Sequence, residues 1–214
     1  MNTNLQQEAE KILKTGTTTI GVIAKDAVVI ATEMKSTMGY QIASKHSKKI
    51  YQLDDHIGMT IAGSSGDAQF VVKLLRAQYA LYRLERGPIS VKAAANLLAN
   101  ILQGNKYYPY YNLFILAGYD SKGAGLYSVD MIGGFDWQDN FYATGSGSPY
   151  AYGVLESQYK ENMAVDDAIT LCIRAIRAAI ERDIGSGGRG FSVSVIDKSG
   201  YRELPQSEIK KFAA

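Results

Sequence analysis

Cysteine, histidine and proline are all scarce in this 214-residue chain, which contains one, two and four of them. The single cysteine, Cys172, cannot form a disulfide framework or a cysteine metal site within one chain. His46 and His56 each lack a second ligand at metal-binding spacing, so we predict no metal site. A single cysteine is compatible with a reducing compartment such as the cytoplasm.

The chain also lacks a charge excess and long apolar runs. Lys and Arg total 23 against 21 Asp and Glu, and the basic residues are scattered, so nothing indicates binding to nucleic acid or to an anionic membrane. The apolar runs are too short to cross a bilayer, and residues 1–16 lack the apolar core of a secretory signal. With 46% hydrophobic residues, the sequence predicts a single soluble folded domain.

The hydrophobic pattern changes period along the chain. β-Branched runs separated by short polar turns predict strand pairs within residues 17–33, 48–63, 112–133 and 191–205, and a further strand that runs into the Gly/Ser turn after residue 144. Apolar residues at helical spacing predict two helices after Asp67, the second capped by Ser90, and two more after Pro149.

These elements are grouped rather than alternating, with four strands expected before the first helix. Grouping disfavours a doubly wound parallel sheet and favours antiparallel sheets covered by helices on their outer faces. We therefore predict an α+β fold, a four-layer αββα sandwich of two antiparallel sheets between helix pairs.

The segment GTTTIG at residues 16–21 could be a threonine-rich edge strand, because threonine favours strands. Five further motifs follow it in order: ATEMKSTMG, SKKI, MTIAGSSGDAQ, TGSGSPYAYGVLE and ERDIGSGG. Together they resemble the β subunits of archaeal-type 20S proteasome cores, which have the N-terminal nucleophile hydrolase fold. The resemblance covers essentially the whole chain after Gly16.

The resemblance implies that residues 1–16 are a propeptide, that self-cleavage occurs between Gly16 and Thr17, and that residues 17–214 are the catalytic domain. A threonine hydroxyl needs a base to act as a nucleophile near neutral pH. A free α-amine, with a reference pKa of about 7.7 to 8.0, is suited to this task. Thr17 would then supply both the nucleophile and the base.

Six other residues match catalytic positions of the family. Lys49 matches the cation beside the amine, and Glu33, where many members have Asp, matches its acidic partner. Asp183, Ser146 and Ser186 match the groups that orient the amine. Gly63 matches the backbone donor to the developing oxyanion. Without the resemblance, these residues would be read as a surface lysine, a strand-end carboxylate and turn residues.

The substrate-binding positions are also implied by the resemblance. Thr37 and Ser65 match residues whose backbones pair with an extended substrate. The pocket for the residue before the cut matches Ser36, Ser47, Tyr51, Ile61, Ser65 and Gln69. With isoleucine at its floor, we expect mainly chymotrypsin-like cleavage, after large apolar residues.

The family further implies a heptameric β ring stacked on a second β ring, capping α-subunit rings, a regulatory ATPase acting through the α ring, and unfolded polypeptide substrates. No cofactor is expected, and the expected compartment is the cytoplasm. Two alternatives remain open: a bacterial-type ring threonine peptidase, and a non-catalytic structural ring subunit.

Overall fold

The computed structural model describes residues 16–213, so the predicted propeptide, except Gly16, lies outside the described residues. The strands are, in chain order, β1 Thr19–Ala24, β2 Ala27–Glu33, β3 Ser36–Met38, β4 Gln41–Ser44, β5 Ile50–Asp54, β6 Ile57–Gly63, β7 Asn112–Asp120, β8 Gly123–Val129, β9 Phe135–Trp137, β10 Phe141–Thr144, β11 Phe191–Asp197 and β12 Gly200–Glu203. The helices are α1 Ser65–Arg86, α2 Val91–Gly104, α3 Ser148–Gln158, α4 Val165–Arg182 and α5 Gln206–Phe212. Within residues 16–213, no helix combines the length and the apolar character that a membrane crossing needs.

Two five-stranded antiparallel sheets form the centre of the molecule. One has the order β10-β1-β2-β11-β12 and the other β5-β6-β7-β8-β9. The hairpin β1–β2 pairs Ala24 with Ala27 across a two-residue turn, which fixes the register from Thr19 opposite Thr32 onwards. A small third sheet pairs β3 with β4.

Three apolar clusters separate four layers. One lies between α3, α4 and the first sheet and includes Ile20, Val29 and Ile173. A second lies between α1, α2 and the other sheet and includes Leu75 and Leu98. A third fills the space between the sheets, with Val28, Ile30, Ile50, Ile115, Ala117, Leu126 and Ile196. The predicted four-layer αββα architecture is confirmed.

The helix boundaries follow from local chemistry. Ser64 caps α1 by accepting from the Asp67 N–H, and Ser90 caps α2 by accepting from the Ala93 N–H at 3.2 Å, as predicted. Gly87, at a φ of 83°, ends α1 in a conformation that glycine adopts without strain.

The prediction of four strands before the first helix was wrong, because the structure has six. The two additional strands, β3 and β4, are short and largely exposed, so they carry little of the apolar alternation that marks a strand. The sequence analysis also missed β9, which has three residues, and α5, which follows Pro205.

Candidate active site

Thr17 lies two residues before the start of β1 and is only 4% exposed. Its Oγ1 accepts a hydrogen bond from Lys49 Nζ at 2.8 Å and donates one to the carbonyl oxygen of Gly16 at 2.7 Å. Gly16 and Thr17 are joined by a peptide bond, so the Thr17 nitrogen stands in for the α-amine that cleavage would release. The hydroxyl therefore lies between a cationic side chain and the carbonyl of the predicted processing bond.

Lys49 and Glu33 form a buried ion pair beside this hydroxyl. Glu33 ends β2 and is fully buried, and Lys49, just before β5, is 5% exposed. Three backbone N–H groups also donate to the Glu33 carboxylate: those of Thr18 at 3.2 Å, Lys35 at 2.6 Å and Gly187 at 3.1 Å. Because these donors satisfy the carboxylate oxygens, Glu33 can hold Lys49 in one place.

Burial shifts the pKa of both members of the pair. It lowers the pKa of Lys49 below its usual value of 10.5, and the Glu33 carboxylate opposes that shift. It raises the pKa of Glu33 above its usual 4.5, opposed by Lys49 and by the Lys35 and Thr18 N–H groups. Lys49 is thus closer to losing its proton than an exposed lysine is.

A second polar cluster contacts the Thr17 nitrogen. Asp183 Oδ2 accepts from Ser146 Oγ and from Ser186 Oγ, both at 2.6 Å. Ser146 Oγ in turn accepts from the Thr17 N–H at 3.2 Å. The predicted amine-orienting residues therefore form one hydrogen-bonded cluster that reaches the Thr17 nitrogen through Ser146, although they come from a turn after β10 and from the loop after α4.

Gly63 ends β6 at a φ of 144°, a conformation that side-chain-bearing residues rarely adopt. A Cβ at this position would lie 2.0 Å from the Tyr111 carbonyl oxygen, so only glycine fits. Gly63 and Thr17 line the same cleft, which has a volume of about 70 Å³. A backbone donor and the candidate nucleophile thus share one small space.

Most of the predicted substrate-binding residues lie along this cleft, namely Ser36, Thr37, Ser47, Ile61 and Ser65. Tyr51 and Gln69 are not among the residues that line it, so their place in the substrate pocket stays a prediction. The Tyr51 hydroxyl bonds the Lys48 carbonyl at 3.2 Å, and Gln69 is exposed on α1. A larger cavity of about 890 Å³, lined by Thr37, Ser146 and Asp183 among others, opens beside Gly16.

The sequence analysis missed Thr18 and Lys35. The Thr18 N–H bonds Glu33, and its buried Oγ1 lies 2.6 Å from Ser186 Oγ. Since Ser186 donates its proton to Asp183, the Thr18 hydroxyl is the donor in this bond. Lys35 Nζ donates to the Ile184 carbonyl at 2.6 Å, next to Asp183. The only available signal was their position beside predicted site residues.

Comparison with known proteins identifies the family of the chain. A model of the family described as "Proteasome subunit" matches residues 13–196. The chain belongs to the proteasome subunit family. It is 48% identical to the proteasome subunit beta of Methanosphaerula palustris over 93% of this chain and 94% of that protein. It is also 48% identical to that of Methanocaldococcus fervens (92% and 88% covered) and 46% identical to that of Methanosarcina thermophila (96% and 97% covered). The family relationship predicted from the motifs is confirmed.

Proposed function

We propose that this chain is a threonine endopeptidase subunit of a proteasome core, with Thr17 as its nucleophile. The observation that carries the proposal is the contact of Thr17 Oγ1 with Lys49 Nζ at 2.8 Å, next to the Gly16 carbonyl. A buried lysine paired with a buried carboxylate is costly to maintain, and such perturbed pairs concentrate at catalytic sites.

The same hydroxyl can cleave its own precursor. Thr17 Oγ attacks the Gly16 carbonyl carbon, the C–N bond breaks, and the nitrogen takes the proton lost by the hydroxyl. The resulting ester between Gly16 and Thr17 Oγ is hydrolysed by water, which releases residues 1–16 and leaves a free α-amine. A Cβ at Gly16 would lie 1.9 Å from Gly185 Cα, so the residue before the cut must be glycine to fit here.

In the mature chain, the α-amine accepts the Thr17 hydroxyl proton while Oγ attacks a substrate carbonyl. The nearby Lys49 ammonium favours the unprotonated amine, and Ser146, held by Asp183, orients it. The Gly63 N–H stabilises the oxyanion, a contribution of about 2.7 to 4 kcal/mol. The amine then protonates the leaving group, and water hydrolyses the acyl ester.

Specificity would be set by Ile61 at the floor of the cleft, where it is 4% exposed. Burying a Leu or Phe side chain against it contributes about 1.5 to 3 kcal/mol. A charged side chain would lose its hydration without gaining a partner. We therefore infer mainly chymotrypsin-like cleavage, with some polar tolerance from Ser47 and Ser65.

Assembly would follow the pattern of the family, with heptameric β rings stacked in pairs, capped by α rings and fed with unfolded polypeptide by a regulatory ATPase in the cytoplasm. Exposed apolar side chains support burial in a larger particle: Leu84, Tyr107 and Tyr108 are 86%, 83% and 89% exposed. The comparisons favour this assembly over a bacterial-type ring peptidase, because the relatives are archaeal proteasome β subunits. The buried Lys49–Glu33 pair favours a catalytic subunit over a purely structural one.

The proposal is tested by intact mass and peptidase activity of the chain assembled with its α partner. Wild type should lose residues 1–16, and Thr17→Ala should keep them and have no activity. Thr17→Ser, which retains a hydroxyl, is the matched control and should be processed. Normal processing or peptide cleavage in Thr17→Ala would overturn the proposal.

A further inference from the structure

Asn112 lies directly behind the turn that follows Gly63. It begins β7, is 1% exposed, and stands opposite Gly63 in the β6–β7 ladder. Its Nδ2 donates to the Ser64 carbonyl oxygen at 3.1 Å. The side chain therefore binds the residue next to the proposed oxyanion donor.

The backbone before Asn112 holds the same turn. The Ser64 N–H donates to the Tyr111 carbonyl at 2.9 Å, and the Tyr111 N–H donates to Asp67 Oδ2 at 3.1 Å. Gly63 lies so close to this segment that an added Cβ would be 2.9 Å from Asn112 Cα. The direction of the Gly63 N–H therefore depends on where residues 111 and 112 place the turn.

The other amide atom of Asn112 is unusual. Within residues 16–213, Asn112 Oδ1 is buried and has no hydrogen-bond partner. It lies 2.8 Å from the point where a Gly63 Cβ would be. A buried acceptor without a partner costs stability, so the fold gains nothing from this oxygen. A neutral amide, however, can hold the Ser64 carbonyl without placing a charge behind Gly63.

From this geometry we infer that Asn112 is a positioning residue for the oxyanion donor of the proposed peptidase. Its amide fixes the Gly63–Ser65 turn, and its neutrality keeps negative charge away from the developing oxyanion. The inference rests on the proposed function, since it acts through the Gly63 N–H. A carboxylate in its place would lose the donor and repel the transition state.

The test compares Asn112→Asp and Asn112→Leu with wild type in the assembled, processed particle, using a peptide with Leu before a fluorogenic leaving group. Asn112→Asp should lower kcat at least about tenfold near pH 8, with KM within about twofold. The new carboxyl is buried, which raises its pKa, and once protonated it can donate to the Ser64 carbonyl. Its kcat relative to wild type should therefore recover towards about pH 6, whereas that of Asn112→Leu should be lowered at every pH.

Within residues 16–213, the other charged or titratable groups at the turn and the cleft are Asp67, Tyr111, Lys48 and Lys49, and all four are present in every variant. Asn105→Asp is the charge-matched control, because Asn105 is exposed at the end of α2 and its Nδ2 bonds the Ile101 carbonyl. Its kcat should match that of wild type.

Labelling of Thr17 by a threonine-directed electrophile separates the two possible failures. If wild type is not labelled at Thr17, the proposed function fails. If wild type is labelled and Asn112→Asp matches Asn105→Asp in kcat and in labelling rate, the role of Asn112 is wrong. If neither Asn112 variant assembles, Asn112→Gln is compared with wild type in labelling rate and in kcat. Full activity of Asn112→Gln at every pH, despite the displaced amide, would also overturn the inference.

Discussion

Removing the Lys49 ammonium should have two measurable effects, one on the stability of the fold and one on peptidase activity. Lys49→Met keeps an unbranched side chain but leaves the Glu33 carboxylate, which is fully buried, without its cation. Breaking a buried pair costs roughly 3 to 5 kcal/mol. Three backbone N–H groups still donate to Glu33, so we expect the lower end of that range, about 3 kcal/mol.

For a domain of this size, that cost corresponds to a fall of about 6 to 12 °C in the melting temperature. The cost should depend on pH. Without Lys49, burial holds the pKa of Glu33 in the folded protein above its value in the unfolded chain. The folded state is therefore most stable while the Glu33 carboxyl is protonated. The stability deficit of Lys49→Met should therefore shrink as pH falls and grow as pH rises through the folded pKa.

Activity should fall by about 10²- to 10⁴-fold, because the α-amine loses the cation that lowers its pKa. Thermal unfolding and fluorogenic-peptide cleavage measure the two effects. Lys48→Met is the stability control: Lys48 pairs with Glu203 at 3.6 Å on the surface, so its loss should cost under about 1 kcal/mol. If Lys49→Met has the same melting temperature as wild type, or keeps activity within about tenfold of wild type, the reasoning fails.

Two further predictions concern buried side chains of the site. Thr18→Val removes the hydroxyl that donates to Ser186, so it should lower both the melting temperature and kcat. Thr32→Val is the control and should lower the melting temperature little, because Thr32 Oγ1 is buried without a partner within residues 16–213. Equal melting temperatures for the two variants would contradict the assigned bond. Ile61→Arg should shift cleavage from Leu towards Glu before the cut, and an unchanged ranking of fluorogenic peptides would show that Ile61 does not form the pocket floor.

The central sheets could be predicted from sequence because their strands are long, apolar and joined by short turns. The pair β1–β2 shows this well, since the two residues Lys25 and Asp26 separate two β-branched runs. The strands β3 and β4 could not be predicted this way. They have three and four residues, mostly outside the core, so packing against the rest of the chain rather than their own pattern determines them.

The site was predicted through family motifs, and local sequence alone would have failed. Lys48 and Lys49 are adjacent and chemically identical, yet their side chains are 56% and 7% exposed. What separates them is the position of Glu33, which lies 16 residues earlier and ends a different strand. Burial of Lys49 is thus a property of the folded sheets. Asn112 shows the same limit, because its proposed role depends on a turn 48 residues before it.

Glu33 links the two polar clusters of the site through its hydrogen bonds. Its carboxylate binds Lys49 on one oxygen and accepts from the Gly187 N–H on the other. Gly187 follows Ser186 in the loop that carries Asp183, so the group that orients the Thr17 nitrogen is attached to the same carboxylate that places the cation. Thr18 adds a second link, with its N–H on Glu33 and its hydroxyl on Ser186. In the proposed peptidase, a Thr17 hydroxyl held by Lys49 and a Thr17 nitrogen held by Ser146 would need little reorganisation before attack, which is the condition for efficient electrostatic catalysis.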